Sequence, residues 1–158
     1  MKSPMTVKSH NFITEEVHRL KTIERPRITK LIEIAREHGD LSENAEYDAA
    51  KEAQGMMEAK LRDLEAKLAT AQVIDISKLS GSKVVFGATV KVSDLDTGNE
   101  RVFSIVGDDE TNAEKGLISY QSPLARALIG KEEGDIAKVR LPAGEKEYEI
   151  VSVEFIEI

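Results

Sequence analysis

This chain of 158 residues has no cysteine, no tryptophan and only four prolines, and aromatic side chains occupy 4% of its positions. The missing cysteines exclude disulfides, thiolate zinc sites and a cysteine nucleophile, and they suit a reducing compartment. No stretch approaches the apolar length that a membrane-spanning helix needs, and Met1 to Thr14 hold no apolar run of the kind found in export signals. The expectation is a soluble, cytoplasmic protein with no membrane partner. Positive charge is also in short supply, with 22 Lys and Arg against 29 Asp and Glu and a formal net charge of −7. Proteins that coat nucleic acid neutralise phosphates with surplus cations, so strong direct nucleic-acid binding is not expected, and any role near RNA or DNA is indirect.

What is present is 41% hydrophobic and 32% charged, a balance that suits much solvated helical surface beside a modest core. From about Asn11 to His38, Ile13, Val17, Leu20, Ile28, Leu31 and Ala35 recur at helical spacing. Glu24 interrupts that stripe and Pro26 removes a backbone donor, so a bend or division is expected near Arg25-Pro26. A second run begins near Leu41 or Glu43 and reaches about Val73. It carries Ala45, Ala49, Ala53, Met57, Leu61, Leu64, Leu68 and Ala71 in close to a heptad pattern. At 1.5 Å per residue each helix would be about 40 Å long. Gly39 is the one residue between them that favours a sharp reversal, which predicts an antiparallel coiled coil closed by a short loop. The alanines at 45, 49 and 53 would let the backbones approach near the loop, with Met56, Met57, Leu61 and Leu64 filling a wider seam farther down.

Beyond Ile76 the pattern changes. Ser77 to Lys83 reads as a polar linker, followed by β-branched or alternating runs at Val84–Val92, Arg101–Val106, Gly116–Tyr120, Ile136–Leu141 and Tyr148–Ile156. Asp96-Thr97-Gly98-Asn99 and Pro142-Ala143-Gly144 have hairpin-turn chemistry. One short helix is marked by Ser122 as N-cap, Pro123 at its first position and Gly130 as its stop. The predicted fold class is α+β: a coiled-coil hairpin over residues 1–76, a linker over 77–83 and a small α+β domain over 84–158.

The reversal concentrates carboxylates. Asp40 and Glu43 lie three apart, so if Asp40 opens the second helix, both side chains share one side of its first turn and can share one cation. The same Asp-x-x-Glu spacing is a capping box, in which each acid accepts from a backbone amide, and spacing alone favours the cap. Position at the end of a rod favours the metal, because acids at a helix N-terminus stay ionised and solvated there. Two carboxylates do not complete the octahedral shell of Mg²⁺, so the pair is a half-site that needs a partner's groups, as in the two-metal arrangement of nucleases and polymerases. His38 reads as a helix C-terminal residue, Arg36 as a partner for Glu33 or Glu37, and Asn44 and Tyr47 as braces of the loop.

The run Ala35-Arg36-Glu37-His38-Gly39-Asp40-Leu41-Ser42-Glu43-Asn44-Ala45-Glu46-Tyr47 resembles the tip of the bacterial Gre transcript-cleavage factors. The likeness extends over nearly the whole chain, through Pro4-Met5-Thr6, Arg25-Pro26, Ala71-Gln72-Val73-Ile74-Asp75, Phe86-Gly87-Ala88-Thr89-Val90, Ile105-Val106-Gly107-Asp108-Asp109-Glu110 and Ser122-Pro123-Leu124-Ala125-Arg126-Ala127-Leu128-Ile129-Gly130-Lys131. It implies a coiled coil that enters the secondary channel of bacterial RNA polymerase, and a C-terminal domain similar in fold to FK506-binding proteins that docks at the channel rim. The family's two tip acids fall on Asp40 and Glu43. By that likeness they help hold a second Mg²⁺ jointly with polymerase, which then cleaves the 3′ end of backtracked RNA and resumes elongation; the polymerase remains the enzyme. Ser122 and Pro123 match the family's polymerase-docking segment. Two positions depart from the pattern: Ser9 replaces a common glycine, and Asp48 stands where the family often has His, adding negative charge beside the tip.

Three other readings exist. A prolyl isomerase needs an aromatic-walled pocket, for which the second domain offers only Phe86, Phe103, Tyr120, Tyr148 and Phe155. A coiled-coil adaptor or holdase would need the tip acids only as caps. A Gre-like inhibitor would fill the channel without cleavage, against which the intact acidic pair argues. The hairpin's lack of a dense basic patch points to short released fragments.

Overall fold

The computed structural model describes residues 2–40 and 44–158. The chain forms two compact units, one spanning His10–Ala71 and the other joining Lys2–Ser9 to Gln72–Ile158.

In the first unit, helix α1 (Val7–Arg19, entering at residue 10) runs through a π-helical turn, Leu20–Glu24, into α2 (Arg25–Glu37). Pro26 explains the turn. It has no N–H for the carbonyl four residues back, and its ring crowds that carbonyl in an α-helix. The preceding turn opens instead, so that the Arg25 N–H reaches the Leu20 carbonyl five residues back. The expected division at Arg25-Pro26 is therefore a widened turn within an uninterrupted helical run. Thr22 and Thr29 on either side donate their hydroxyls to the carbonyls of His18 (2.8 Å) and Arg25 (2.9 Å).

Helix α3 (Ala45–Ala69) packs on α2, and the pairs Glu16 with Lys60, Arg25 with Glu58 and His38 with Glu46 run in opposite chain directions, as an antiparallel hairpin requires. Leu20, Ile28, Ile32, Ala50, Met57 and Leu61 are its buried seam. This corrects the expected seam at three places. Leu31 is 41% exposed while Ile32 is buried, Ala45 and Ala49 are exposed while Ala50 is buried, and Met56 is 69% exposed beside buried Met57. Apart from Ala45, each error falls at a pair of adjacent apolar residues. Neighbours on a helix point about 100° apart, and only the facing helix decides which one turns inward.

Ion pairs flank the seam. Glu16 accepts from Arg19 (2.6 Å) and Lys60 (3.2 Å), and these hydrogen bonds, Arg19's first, hold its carboxyl down at about 2. Arg25 grips Glu58 with two nitrogens at 2.8 and 3.0 Å and lowers that carboxyl below its ordinary range.

The second unit is a five-stranded sheet in the order β5-β4-β3-β7-β6, formed by β3 (Thr89–Asp94), β4 (Glu100–Val106), β5 (Leu117–Ser119), β6 (Ile136–Leu141) and β7 (Gly144–Glu154). All neighbours are antiparallel except β4 and β5. The two predicted turns are hairpins, the first joining β3 to β4 and the second bringing Leu141 opposite Gly144. Helix α4 (Pro123–Leu128) places Ala125 and Leu128, both 0% exposed, in one core with Val90, Val92, Ile105, Val139 and Ile150.

A further two-stranded sheet pairs β1 (Ser3–Thr6) with β2 (Ala71–Ile74), where a helix to Val73 was expected. Residues 2–9 and 72–76 thus join the sheet unit, and the hairpin boundary at 1–76 is corrected. The cause is tertiary. Met5 and Thr6 are buried, the Thr6 hydroxyl donates to the Glu110 carboxylate, and a Cβ at Gly107 would come within 2.8 Å of the Pro4 carbonyl oxygen. Thr6 also starts α1, its Oγ1 accepting from the Ser9 N–H at 3.1 Å. Val84 to Ala88 form no strand, and β3 begins only after the turn at Gly87 (φ +89°).

Candidate functional site at the helical reversal

Helix α2 ends at His38 and Gly39. The Gly39 backbone takes φ +94°, a conformation that glycine alone adopts cheaply, and its N–H donates to the Arg36 carbonyl at 3.1 Å. Helix α3 begins at Ala45 with Asn44 as its N-cap, the Asn44 Oδ1 accepting from the Tyr47 N–H at 3.0 Å. The N-cap of α3 is therefore Asn44 and not Asp40, while the paired bonds of a capping box between Asp40 and Glu43 would run through Glu43, outside the described residues. Asp40 precedes the cap by four residues, too early to serve the first turn of α3, and Asn is as strong a cap as Asp. Asp40 lies exposed at the reversal. Glu43, with Leu41 and Ser42, lies outside the described residues.

Asn44 does more than cap. Its Nδ2 donates to the Ala35 carbonyl at 2.6 Å, so one carboxamide satisfies an early amide of α3 and a late carbonyl of α2. The Tyr47 amide is one that a helix start leaves without a partner inside the helix, and the Ala35 carbonyl accepts from the His38 N–H (3.2 Å) as well as from Asn44. His38, at the C-terminus of α2 as expected, brings its Nε2 to 3.1 Å from Glu46 Oε2, a second link across the reversal. Glu33 pairs with Lys30 at 3.7 Å, not with Arg36. Asp48, in the first turn of α3 with Glu46, sits where the macrodipole favours negative charge. The sequence signal for Asn44 was present, an Asn directly before an alanine-rich helical run. Its second bond, nine positions back, left no local trace.

An exposed carboxylate is a hard oxygen donor suited to a hard cation such as Mg²⁺. Among the described residues, no three His, Asp or Glu side chains converge as a metal-holding group.

Ser122 and Pro123 lie in the other unit. The Ser122 Oγ accepts from the Ala125 N–H (3.2 Å) and donates to the Ser119 carbonyl (2.8 Å), which makes it the predicted cap of α4. Pro123 is exposed and borders a cleft of about 570 Å³ with Arg126, Lys138, Arg140 and Glu145.

Residues 3–73 match the family model described as "Transcription elongation factor, N-terminal", and residues 79–155 match "Transcription elongation factor, GreA/GreB, C-term". The chain belongs to the GreA/GreB transcription elongation factor family. It is 54% identical over 156 residues to transcription elongation factor GreA of Thioalkalivibrio sulfidiphilus, covering 98% of this chain and 99% of that protein. The GreA of Maricaulis maris is 57% identical over 154 residues, with 98% of each chain covered. Solved structures that are similar include Gfh1 of Thermus thermophilus (24% identity, TM-score 0.43) and a GreA/GreB factor of Nitrosomonas europaea (19%, 0.44), each covering 98% of this chain and 99% of the other. As a GreA/GreB family member, the chain is a transcription elongation factor, and its matched regions include both the hairpin and the sheet unit.

Proposed function

We propose that this factor binds bacterial RNA polymerase, inserts its helical hairpin into the secondary channel, and stimulates the polymerase's own Mg²⁺-dependent cleavage of backtracked RNA. The observation that carries this reading is the placement of Asp40, exposed at the reversal between two antiparallel helices, in a GreA/GreB family member. Asp40 and Glu43 would hold a Mg²⁺ whose remaining ligands come from polymerase and RNA. Such an ion would supply Lewis-acid charge at the phosphodiester and would lower the pKa of the attacking water. The two carboxylates orient that water toward phosphorus by accepting its hydrogens. Water adds, the bond to the upstream ribose 3′ oxygen breaks, and that oxygen leaves with a proton, so the retained RNA regains a 3′-hydroxyl and the fragment carries a 5′-phosphate. The enzyme is the polymerase, and the compartment is its own, the cytoplasm. Ser122 and Pro123 would lie against the polymerase at the channel rim.

The test is release of 3′-labelled fragments from stalled, backtracked polymerase complexes in Mg²⁺. Wild type should release short fragments. Asp40→Asn and Glu43→Gln should bind polymerase yet cleave about 100-fold more slowly or worse, the scale for losing one group that acts on developing charge. A wild type that binds polymerase without accelerating cleavage would be a channel plug, and the reading would fail.

A further inference from the structure

We propose that Asn44 is a positioning residue for the tip acids, acting by tying the two helices together on either side of them. This inference rests on the cleavage role of Asp40 and Glu43 given above. The Asn44 carboxamide is used at both ends, with Oδ1 accepting from Tyr47 N–H at 3.0 Å and Nδ2 donating to the Ala35 carbonyl at 2.6 Å. Ala35 is 1% exposed and lies in the last turns of α2, its carbonyl also accepting from the His38 N–H, so the acceptor is itself held in the helix. The bond closes a ring of chain whose ends lie nine positions apart, and Asp40 and Glu43 both fall inside it.

A cap alone would not require this. Ser and Asp cap helices about as well as Asn, because capping needs only an acceptor. What Asn adds is the donor that reaches α2. The other bridge, between His38 and Glu46, joins side chains 58% and 72% exposed, where solvent weakens the attraction. The 2.6 Å bond to a nearly inaccessible residue is the firmer of the two. Carboxylates that share a metal with another protein must be presented in a set geometry, and small misplacements of reacting groups are costly in rate. Asn44 fixes the frame from which they are presented without touching RNA or metal itself.

The experiment compares wild type with Asn44→Ser, Asn44→Asp and Asn44→Ala in the full chain. Measured are helix content by circular dichroism, affinity for core polymerase, and cleavage rate at saturating factor as Mg²⁺ is varied. Ser and Asp keep an acceptor for Tyr47, and Asp turns an oxygen toward the Ala35 carbonyl where an N–H stood. Both variants should retain helicity and polymerase affinity. Their cleavage should slow by about 10- to 100-fold, with more Mg²⁺ needed for half-maximal rate. Wild-type cleavage and Mg²⁺ dependence in the Ser and Asp variants, with loss confined to Ala, would make Asn44 a cap only and overturn the inference. A drop in helicity that accounts for all the lost cleavage would overturn it too. In preparations where Asp40→Asn abolishes cleavage, those outcomes sink this inference alone. Absence of cleavage by wild type sinks the functional reading and takes this one with it.

Discussion

At the start of α3, the Asn44 side chain accepts from one backbone amide and donates to a carbonyl of another helix. At the start of α4, the Ser122 side chain accepts from Ala125 and donates to Ser119, three residues back. The chemistry is the same and the surroundings are opposite. Helix α4 has only six residues, but Ala125 and Leu128 are sealed beneath a sheet, so the core holds it whatever its cap contributes. Helix α3 has 25 residues, yet its first buried side chain is Ala50, and its opening turn carries Glu46 and Asp48 toward solvent. Where the start of a helix faces solvent, hydrophobic burial is not available to order it. Directional polar bonds take its place.

The contrast extends to the two cores. The sheet unit encloses residues such as Val84, Ile105 and Leu128 at 0% exposure from several sides, whereas the hairpin buries a single seam between two helices and flanks it with ion pairs. The strongest challenge to this difference is a matched pair of truncations. Leu128→Ala should cost near the top of the range of about 2–5 kcal/mol for buried Leu to Ala, and Leu61→Ala nearer the bottom, because two helices can close on a gap and a sheet-backed core cannot. Denaturant unfolding of both variants decides it, and equal costs would break the comparison.

A second pair sharpens it. Gly116 (φ +72°) and Gly39 (φ +94°) both need a left-handed backbone, but a Cβ at Gly116 would lie 2.5 Å from the Val102 carbonyl oxygen, while at Gly39 nothing among the described residues lies within 4 Å. Gly39→Ala should cost only conformational strain, about 1–2 kcal/mol. Gly116→Ala should cost that and a backbone displacement besides, read as the larger fall in melting temperature.

The smallest expected effect belongs to Glu16. Its folded carboxyl sits at about 2, below the ordinary 4.5, so its stabilising contribution is complete above about 4.5 and fades as pH falls toward 2. Melting of wild type and Glu16→Gln should differ at pH 6, differ less at pH 3 and converge only as pH falls to about 2 and below. A gap that persists unchanged into acid would mean that Glu16 stabilises the hairpin by packing and not by charge.

Much of this was legible beforehand, for identifiable reasons. Ser122, Pro123 and Gly130 mark α4 because capping, a fixed φ and a positive φ are local demands that few residues meet. The turns at 96–99 and 142–144 were readable on the same ground. The π turn before Pro26 was half legible, since the missing donor announces a disturbance but not the form it takes. Strands β1 and β2 were invisible, being four residues each and formed only because they find one another across the chain. At the candidate site, the acidic run and its reversal at Gly39 were evident, while the cap assigned to Asp40 belongs to Asn44.

By itself, the order of residues determined the helical hairpin, the sheet-rich second unit, the reversal and the acids gathered there, because helical periodicity, strand alternation and turn chemistry act over a few residues at a time. Tertiary structure alone decided which of Leu31 and Ile32, or Ala49 and Ala50, faces inward, where the helix yields to β2, and that one asparagine would join two helix ends. Each of those outcomes depends on a partner distant in sequence, and the free energy that selects it, burial against a neighbour or a hydrogen bond to it, exists only once the chain has brought the two together.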